Sequence, residues 1–300
     1  MEIIEVPVVI VGAGPAGIAT AGCLNKLNIP NIVLERDDCN ASFYRKRTHD
    51  NLKLHLDKKF CSLPHYPIPP SLPNFVTRVQ FLRYIESYVA HFNVAIKYNR
   101  AVESAVVYER SNKWRVVAKD TSSGTYETYV SDFLVVATGE NSEGYIPEIE
   151  GLDKYDGVYM HSSKPKEGPF AMKMKNGTTP IIDMGCVKKI KNRQVKVFPA
   201  ILSIEEAKTV QFTNGQRAQF DIIIFATGYR TNVLSWLQDY EILFNEDGMP
   251  IPSYPNHWGG EQGIYCAGFS RLGLEGISYD AKNIANHIQY TINLRESFNH

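Results

Sequence analysis

The sequence lacks an excess of charge of either sign. Its 300 residues include 32 Lys and Arg and 32 Asp and Glu, so the formal net charge is zero. Proteins that bind a phosphate backbone present a basic surface, and nucleic acid is therefore not an expected partner. Long hydrophobic runs are lacking too, because the apolar run at residues 8–11 is too short for a signal sequence or a membrane helix. We expect a cytoplasmic protein without a membrane span.

Paired cysteines are also missing. The five cysteines are odd in number, widely spaced and free of any C-x-x-C pair. This pattern argues against a disulfide framework, a zinc site and the dithiol centre of a disulfide reductase. The eight histidines never fall at i, i+4 spacing, so no metal site is predicted. The hydrophobic content of 44%, in contrast, is enough for a large core and two compact lobes.

The N-terminal part of the sequence predicts a βαβ unit. Residues 6–11 form a continuous, mostly β-branched run, which is typical of a strand buried on both faces. Small and apolar residues at 16–27 predict a helix, and residues 31–34 predict a second buried strand. The fold class that follows is α/β, with a parallel, Rossmann-like sheet.

A glycine fingerprint, Gly-Ala-Gly-Pro-Ala-Gly, occupies residues 12–17 between the predicted strand and helix. Gly12 allows the tight turn, Gly14 lets the backbone approach a pyrophosphate, and Gly17 lets the helix pack on the strand. The helix start, at Pro15 and Ala16, offers free N–H groups and a partial positive charge to phosphate oxygens.

The second predicted strand ends at Glu35. A carboxylate at this place can accept hydrogen bonds from both hydroxyls of an adenosine ribose, and it disfavours a 2′-phosphate. The site is therefore predicted to hold FAD or NAD and not NADP. A glycine turn without a ligand is the alternative, but chance fingerprints rarely come with the strand, the helix and the distal acid together.

A short repeat indicates two strands that each end a Rossmann-like domain, called closing strands here. The sequence DFLVVATG at residues 132–139 recurs as DIIIFATG at residues 221–228, and each copy follows a hairpin-like stretch. Thr138 and Gly139 end the first copy, where small residues let the backbone pass close to a cofactor; a tight strand exit without a ligand stays open. Two closing strands imply two fingerprints, yet no G-x-G-x-x-G lies between Gly139 and Asp221.

Several further elements follow from pattern. A proline-rich stretch at residues 64–73 predicts a loop, after which Thr77 and Gln80 form a capping box that opens a helix. Alternating residues at 101–108 and 114–119 predict an antiparallel meander, and residues 132–138 predict a buried strand. Residues 263–268 predict another buried strand, followed by a glycine-rich loop and a helix at about 278–294.

Long ordered stretches resemble the plant YUCCA flavin-containing monooxygenases. They are VGAGPAG (11–17), VLERDDCNASFYRKRTHDNLKLHLDKKFCSLP (33–64), ATGENSEGYIPEIEG (137–151), FATGY (225–229) and GIYCAGFSRLGLEG (263–276). The resemblance implies FAD as cofactor and NADPH as co-substrate. It also implies the family reaction, in which indole-3-pyruvate, a small 2-oxo acid, is converted with O₂ to indole-3-acetic acid during auxin synthesis.

The resemblance also implies a set of cofactor-binding residues, although it assigns no catalytic residue and no oligomeric state. Tyr44 stands where these enzymes usually carry Trp. With the residues named above, the expected FAD site comprises Gly12, Gly14, Pro15, Ala16, Gly17, Glu35, Arg36, Tyr44, Arg47, Leu52, Lys53, His55, Thr138 and Gly139.

The chain departs from the family after His161. The signature F-x-G-x-x-x-H-x-x-x-Y/F is present as Tyr155, Gly157 and His161, but Pro165 replaces its last aromatic residue. In the family a second fingerprint that seats NADPH follows; here it is missing, and with it on the order of a hundred residues, the size of a small domain.

This departure sets the expected domains and the expected activity. We expect an FAD-binding domain with a meander at 1–163, a remnant of the NADPH-binding domain at 164–230 and a return to the first domain at 231–300. Without an NADPH fingerprint, turnover is expected to be prevented or severely slowed. A non-catalytic protein that binds FAD or a partner is the alternative.

Overall fold

The computed structural model describes residues 2–108, 112–162, 186–206, 208–238 and 240–298. Its contacts divide the chain into two compact units. Unit 1 comprises Met1–Glu143 and Arg230–His300, and unit 2 comprises Gly144–Tyr229. Pro165 lies outside the described residues, as does most of the sequence between His161 and Cys186, where the second fingerprint is missing. The domain boundaries at 163/164 and 230/231 stay a prediction.

The described strands and helices are numbered here in chain order. The strands are β1 (Glu2–Glu5), β2 (Val8–Val11), β3 (Asn31–Leu34), β4 (Ile96–Lys97), β5 (Arg100–Tyr108), β6 (Lys113–Asp120), β7 (Tyr126–Ser131), β8 (Phe133–Val136), β9 (Glu143–Gly144), β10 (Val158–His161), β11 (Ile201–Glu205), β12 (Thr209–Phe212), β13 (Arg217–Gln219), β14 (Ile222–Phe225), β15 (Tyr229–Arg230) and β16 (Ile264–Cys266). The α-helices are α1 (Pro15–Lys26), α2 (Ser42–Lys46), α3 (Lys58–Cys61), α4 (Arg78–His91), α5 (Cys186–Lys191) and α6 (Gly273–Phe298).

A five-stranded parallel sheet is the centre of unit 1, with the strand order β16-β8-β2-β3-β4. The side chains of β2 alternate between two cores. Val8 and Ile10 pack into the core beneath α1, α4 and α6, whereas Val9 and Val11 pack into the core beneath the meander. Burial on both faces explains why this strand reads as a continuous apolar run. The α/β fold class is confirmed.

The meander forms a separate four-stranded sheet with the order β1-β7-β6-β5. β5, β6 and β7 are antiparallel, as predicted, and β1 adds in parallel to β7. The sequence analysis did not predict β1, because its four residues, EIIE, show neither the alternation of a half-buried strand nor the continuous apolar run of a buried one. Trp114 and Tyr129 are fully buried against the five-stranded sheet.

The sequence analysis predicted three of the five α-helices described in unit 1 and missed the short helices α2 and α3. α4 begins with the capping box of Thr77 and Gln80, as predicted. α6, in contrast, begins at Gly273 and not at residue 278. Helix propensity argues against glycine in a first turn, but Gly276 is needed here because a Cβ atom would overlap the Ser270 side chain. No helix in the described part of the chain is long and apolar enough to cross a membrane.

Unit 2 has a small core of its own. β11, β12 and β13 form an antiparallel sheet, and β10 pairs with β14 in parallel. The buried side chains of this core include Tyr155, Ile204, Val210 and Phe212. The hairpin-like stretch before the second copy of the repeat is β12 and β13, joined by a turn at Asn214 and Gly215.

The second copy of the repeat is not buried as the first is. All four residues of β8 are buried, but Ile222 and Ile224 of β14 are 42% and 56% exposed. Val158 of β10, the register partner of Ile222, is 55% exposed. A parallel strand pair is normally covered on both faces, so one face of this pair lacks its cover in the described residues.

An ion-pair network ties the meander to the end of β4. The Arg100 guanidinium lies 2.9 Å from a carboxylate oxygen of Asp120 and 2.9 Å from one of Glu127, which also contacts Lys97. The hydrogen bond from Arg100 lowers the pKa of Glu127 to about 2. Hydrogen bonds from Ser122 and the charge of Arg100 lower the pKa of Asp120 to about 2.

These lowered pKa values predict acid sensitivity. Stability from the two carboxylates is complete above their unfolded pKa values of about 4 and is lost as the pH falls towards about 2. We expect Glu127→Gln to flatten the decline of the melting temperature below about pH 5. The matched control is Glu103→Gln, exposed on β5 and without an ion pair among the described residues. Equal acid profiles for both variants would contradict this account.

Candidate functional site

The turn between β2 and α1 is fixed by its backbone. Gly12 has a φ of +107°, and its N–H donates to the Leu34 carbonyl oxygen at 2.8 Å. A Cβ atom at Gly12 would lie 2.6 Å from the Ala137 carbonyl oxygen, at the end of β8. Only glycine satisfies both conditions. The three neighbouring strands β3, β2 and β8 thus converge on one turn.

The N-terminus of α1 is open towards a ligand. Gly14 is its N-cap, with extended backbone and no side-chain cap, and Pro15 occupies the first helical position. The first backbone bond of the helix runs from the Ile18 N–H to the Gly14 carbonyl oxygen at 3.1 Å. The N–H groups of Ala16 and Gly17 therefore precede the helical ladder and carry the positive end of its dipole. Such a terminus suits an anion, above all a phosphate.

Glu35 is held in place by two backbone donors. The N–H of Ala13 donates to its Oε2 at 2.6 Å, and the N–H of Asp37 donates to its Oε1 at 2.9 Å. The side chain is 5% exposed, and burial raises the pKa of its carboxyl group against the opposing effect of these two bonds. Each carboxylate oxygen keeps acceptor capacity for a further donor, such as a ribose hydroxyl.

A cleft with about 950 Å³ of empty space lies at this turn, at the carboxyl edge of the parallel sheet. Arg36 and Arg47 give its lining positive charge. Arg47 also donates to the Ser142 carbonyl oxygen at 2.9 Å, which ties α2 to the loop after β8. Of the expected site residues, those that line the cleft are Gly12, Gly14, Pro15, Glu35, Arg36, Arg47 and Thr138.

The other expected residues do not line this cleft. Ala16 and Gly17 belong to α1 and are buried behind the turn. The Tyr44 ring packs against Phe81 with a centroid distance of 4.9 Å, and burial raises its pKa to about 12. The other expected site residues that do not line the cleft are Leu52, Lys53, His55 and Gly139.

Sequence reasoning missed part of the cleft wall. Ser42, Phe43, Asn141 and Ser142 line the cleft and all lie inside stretches quoted for the family resemblance, so that resemblance could have identified them. No signal pointed to the residues that come from the returning C-terminal part of unit 1. These are Asn232, Ser235 and Trp236.

Two buried polar atoms in the wall fit an absent ligand. Thr138 Oγ1 and Asn232 Oδ1 are buried and have no hydrogen-bond partner among the described residues. An unsatisfied buried polar group costs about 1–3 kcal/mol, so such groups are usually paired. Together with Glu35 and the N-terminus of α1, they offer the donors and acceptors that a dinucleotide cofactor needs. No group of three or more metal-ligating side chains occurs in the described part of the chain.

The chain has relatives among known proteins. The family model of the pyridine nucleotide-disulphide oxidoreductases matches residues 9–182. Probable indole-3-pyruvate monooxygenase YUCCA10 of Arabidopsis thaliana is 38% identical, over 95% of this chain and 97% of its own length. Indole-3-pyruvate monooxygenase YUCCA6 of the same plant is 33% identical, over 93% and 89%. A flavin-containing monooxygenase from Stenotrophomonas maltophilia shares the fold, with a TM-score of 0.76, 18% identity and coverage of 96% and 99%.

The fold and the sequence relatives define a flavin-dependent monooxygenase of the two-dinucleotide-fold class, which uses FAD and NADPH. The chain belongs to the family of the plant YUCCA indole-3-pyruvate monooxygenases. The resemblance stated from the sequence is thereby confirmed.

Many positions of the relatives have no counterpart here. The alignment with YUCCA10 spans 373 positions and the chain has 300 residues, so at least 73 positions (373 minus 300) hold no residue of this chain. This agrees with the absence of a second glycine fingerprint from the sequence.

Two glycines of the fingerprint separate folding from cofactor binding. Nothing lies within 4 Å of a Cβ atom at Gly14, whereas a Cβ atom at Gly17 would overlap the Gly12 carbonyl oxygen. We expect Gly14→Ala to keep the melting temperature of the apoprotein and to lose bound flavin, because the methyl group meets the pyrophosphate. Gly17→Ala should lower the melting temperature itself. Flavin retained at wild-type occupancy in Gly14→Ala would refute this assignment.

Thr138→Val should affect folding and flavin binding in opposite directions. The substitution removes a buried hydroxyl that has no partner in the described residues and keeps the shape of the side chain. We expect the apoprotein to melt at the same or a higher temperature and the flavin to bind about threefold to tenfold more weakly. Thermal melts and flavin titration of the apoprotein measure the two effects. A destabilised apoprotein with unchanged flavin affinity would show that the hydroxyl serves the fold.

Proposed function

We propose that this chain binds FAD in the cleft at the β2–α1 turn and has the activity for which its relatives are named. The substrate is a 2-oxo acid of the indole-3-pyruvate type, and the product is indole-3-acetic acid. The observation that carries the proposal is the arrangement of Gly12, Glu35 and the open N-terminus of α1 around one cleft, in a chain 38% identical to YUCCA10. The redox chemistry is supplied by FAD when it is bound.

The residues of the chain bind and orient the cofactor. Glu35 accepts hydrogen bonds from the adenosine ribose, and the N-terminus of α1 meets the pyrophosphate. Arg36 and Arg47 balance the phosphate charge. Apolar lining from Val11, Leu34 and Trp236 reduces contact of the cleft with water, which strengthens these electrostatic interactions.

Reduction of the flavin by NADPH is the step for which this chain lacks a binding fingerprint. The relatives' class uses NADPH, but this chain has one fingerprint, and at least 73 alignment positions of YUCCA10 are empty here. Glu35 disfavours a 2′-phosphate, so the first site does not substitute for an NADPH site. We therefore expect slow reduction of the flavin by NADPH and slow turnover.

A non-catalytic FAD-binding protein is the second candidate function. The exposure of Ile222 and Ile224 on β14 favours it, because this face belongs to a strand pair that parallel sheets normally cover. In this case unit 1 binds FAD, and unit 2 does not bind NADPH.

An anaerobic titration of the FAD-loaded protein with NADPH distinguishes the two candidates. Bleaching of the flavin absorbance, followed by formation of indole-3-acetic acid on addition of air and indole-3-pyruvate, supports the monooxygenase. Reduction by dithionite but not by NADPH supports the non-catalytic protein. A full-length relative, reduced by NADPH under the same conditions, is the positive control. Bleaching at the rate of that relative would contradict the expected slow step.

A further inference from the structure

Unit 1 contains a second cleft at the same edge of the parallel sheet. It is formed by residues 249–254, by His257 and by residues 269–271 of the loop that joins β16 to α6, and it has about 590 Å³ of empty space. Because all five strands are parallel, this loop and the β2–α1 turn leave the sheet on the same side. Open α/β sheets bind their ligands at this edge.

A buried histidine forms part of this cleft. His257 is 2% exposed, and its Nε2 lies 3.0 Å from Oδ1 of the fully buried Asp280. Asp280 is fixed in turn, since its Oδ2 accepts from the Gly268 N–H at 2.9 Å. Both ring nitrogens of His257 are buried without a hydrogen-bond partner among the described residues, but Nε2 has the close contact with the Asp280 carboxylate, whereas Nδ1 has no such contact. Buried polar atoms are usually paired, so Nδ1 is available to a ligand.

Arg271 brings a positive charge to the same cleft. It is exposed, it forms no ion pair with any described residue, and its φ is +61°. Left-handed backbone is uncommon for a residue with a side chain and is concentrated at functional sites. The Arg271 charge also reaches the half-buried Glu140. Burial raises the pKa of the Glu140 carboxyl group, and the positive charge of Arg271 opposes this increase without cancelling it. Glu140 follows the ATG triplet, so Arg271 lies near the end of β8.

The rest of the cleft is apolar and aromatic. Phe269 is 3% exposed, whereas Ile251 and Tyr254 are 58% and 51% exposed. The Tyr254 ring stacks on the His257 ring, with a centroid distance of 5.7 Å and an interplanar angle of 30°. Flat aromatic walls favour a flat ligand body, and a guanidinium favours a carboxylate in a bidentate pair.

We propose that this cleft binds a small carboxylic acid with a flat, apolar body, whose carboxylate pairs with Arg271 and whose second polar group meets His257 Nδ1. The inference deepens the proposed function, on which it rests, because it makes Arg271 and His257 the residues that select an acidic substrate. Asp280 is a positioning residue that orients the His257 ring.

The test measures binding without turnover. Oxidised, FAD-loaded protein is titrated by calorimetry, in the absence of NADPH, with phenylpyruvate and with its uncharged methyl ester. Wild type should bind the acid about tenfold or more tightly than the ester. Arg271→Gln should lose this difference, and Arg271→Lys should keep part of it because the charge remains but the planar fork does not. Lys282→Gln, an equal charge change at an exposed position of α6, should leave both affinities unchanged.

The outcomes are separable from those of the proposed function. One outcome is that phenylpyruvate binding depends on Arg271 but NADPH does not reduce the flavin. This outcome supports the present inference and contradicts the monooxygenase activity. Turnover with unchanged affinity in Arg271→Gln retains the monooxygenase and overturns this inference. Absence of phenylpyruvate binding by wild type overturns it as well. His257→Gln provides an independent check, since it should weaken the acid and the ester by the same factor.

Discussion

The backbone cradle around Glu35 is the constraint on which the rest of unit 1 depends. One carboxylate accepts from Ala13 in the β2–α1 turn and from Asp37 after β3. The Ala13 carbonyl oxygen in turn accepts from Ala41, directly before α2. A buried charge is costly unless it is hydrogen-bonded, so these bonds hold two strand exits and one helix start in a single geometry. The position of the cleft at the β2–α1 turn follows from that geometry.

Much of this arrangement could be predicted from the sequence because it rests on local patterns. The apolar run of β2, the glycine fingerprint and the capping box of α4 each depend on neighbouring residues and on nothing distant. Trp236, Asn232 and the parallel addition of β1 could not be predicted in this way, because they depend on pairing between segments far apart in the chain. Propensity also misplaced the start of α6, where close packing at Gly276 outweighs the cost of glycine in a helix.

The two copies of the ATG strand show how one local sequence takes its stability from its surroundings. β8 lies between β2 and β16 and is buried on both faces. β14 has β10 as its partner and leaves Ile222 and Ile224 exposed. The two copies have similar sequences, so the difference in burial comes from their neighbours: β8 has a paired strand on each side, whereas β14 is paired with β10 alone among the described strands. In the proposed function, unit 1 binds FAD at the β2–α1 turn, and unit 2 contributes β14 without a second glycine fingerprint in the sequence.

Identification of the bound cofactor tests the central claim most directly. Protein purified without added cofactor is denatured, and the released chromophore is separated and quantified by mass spectrometry against the protein concentration. The account predicts FAD, close to one per chain, with no FMN and no NADP. A preparation that is folded by circular dichroism but releases no FAD, even after incubation with an excess of it, would contradict the assignment of the cleft.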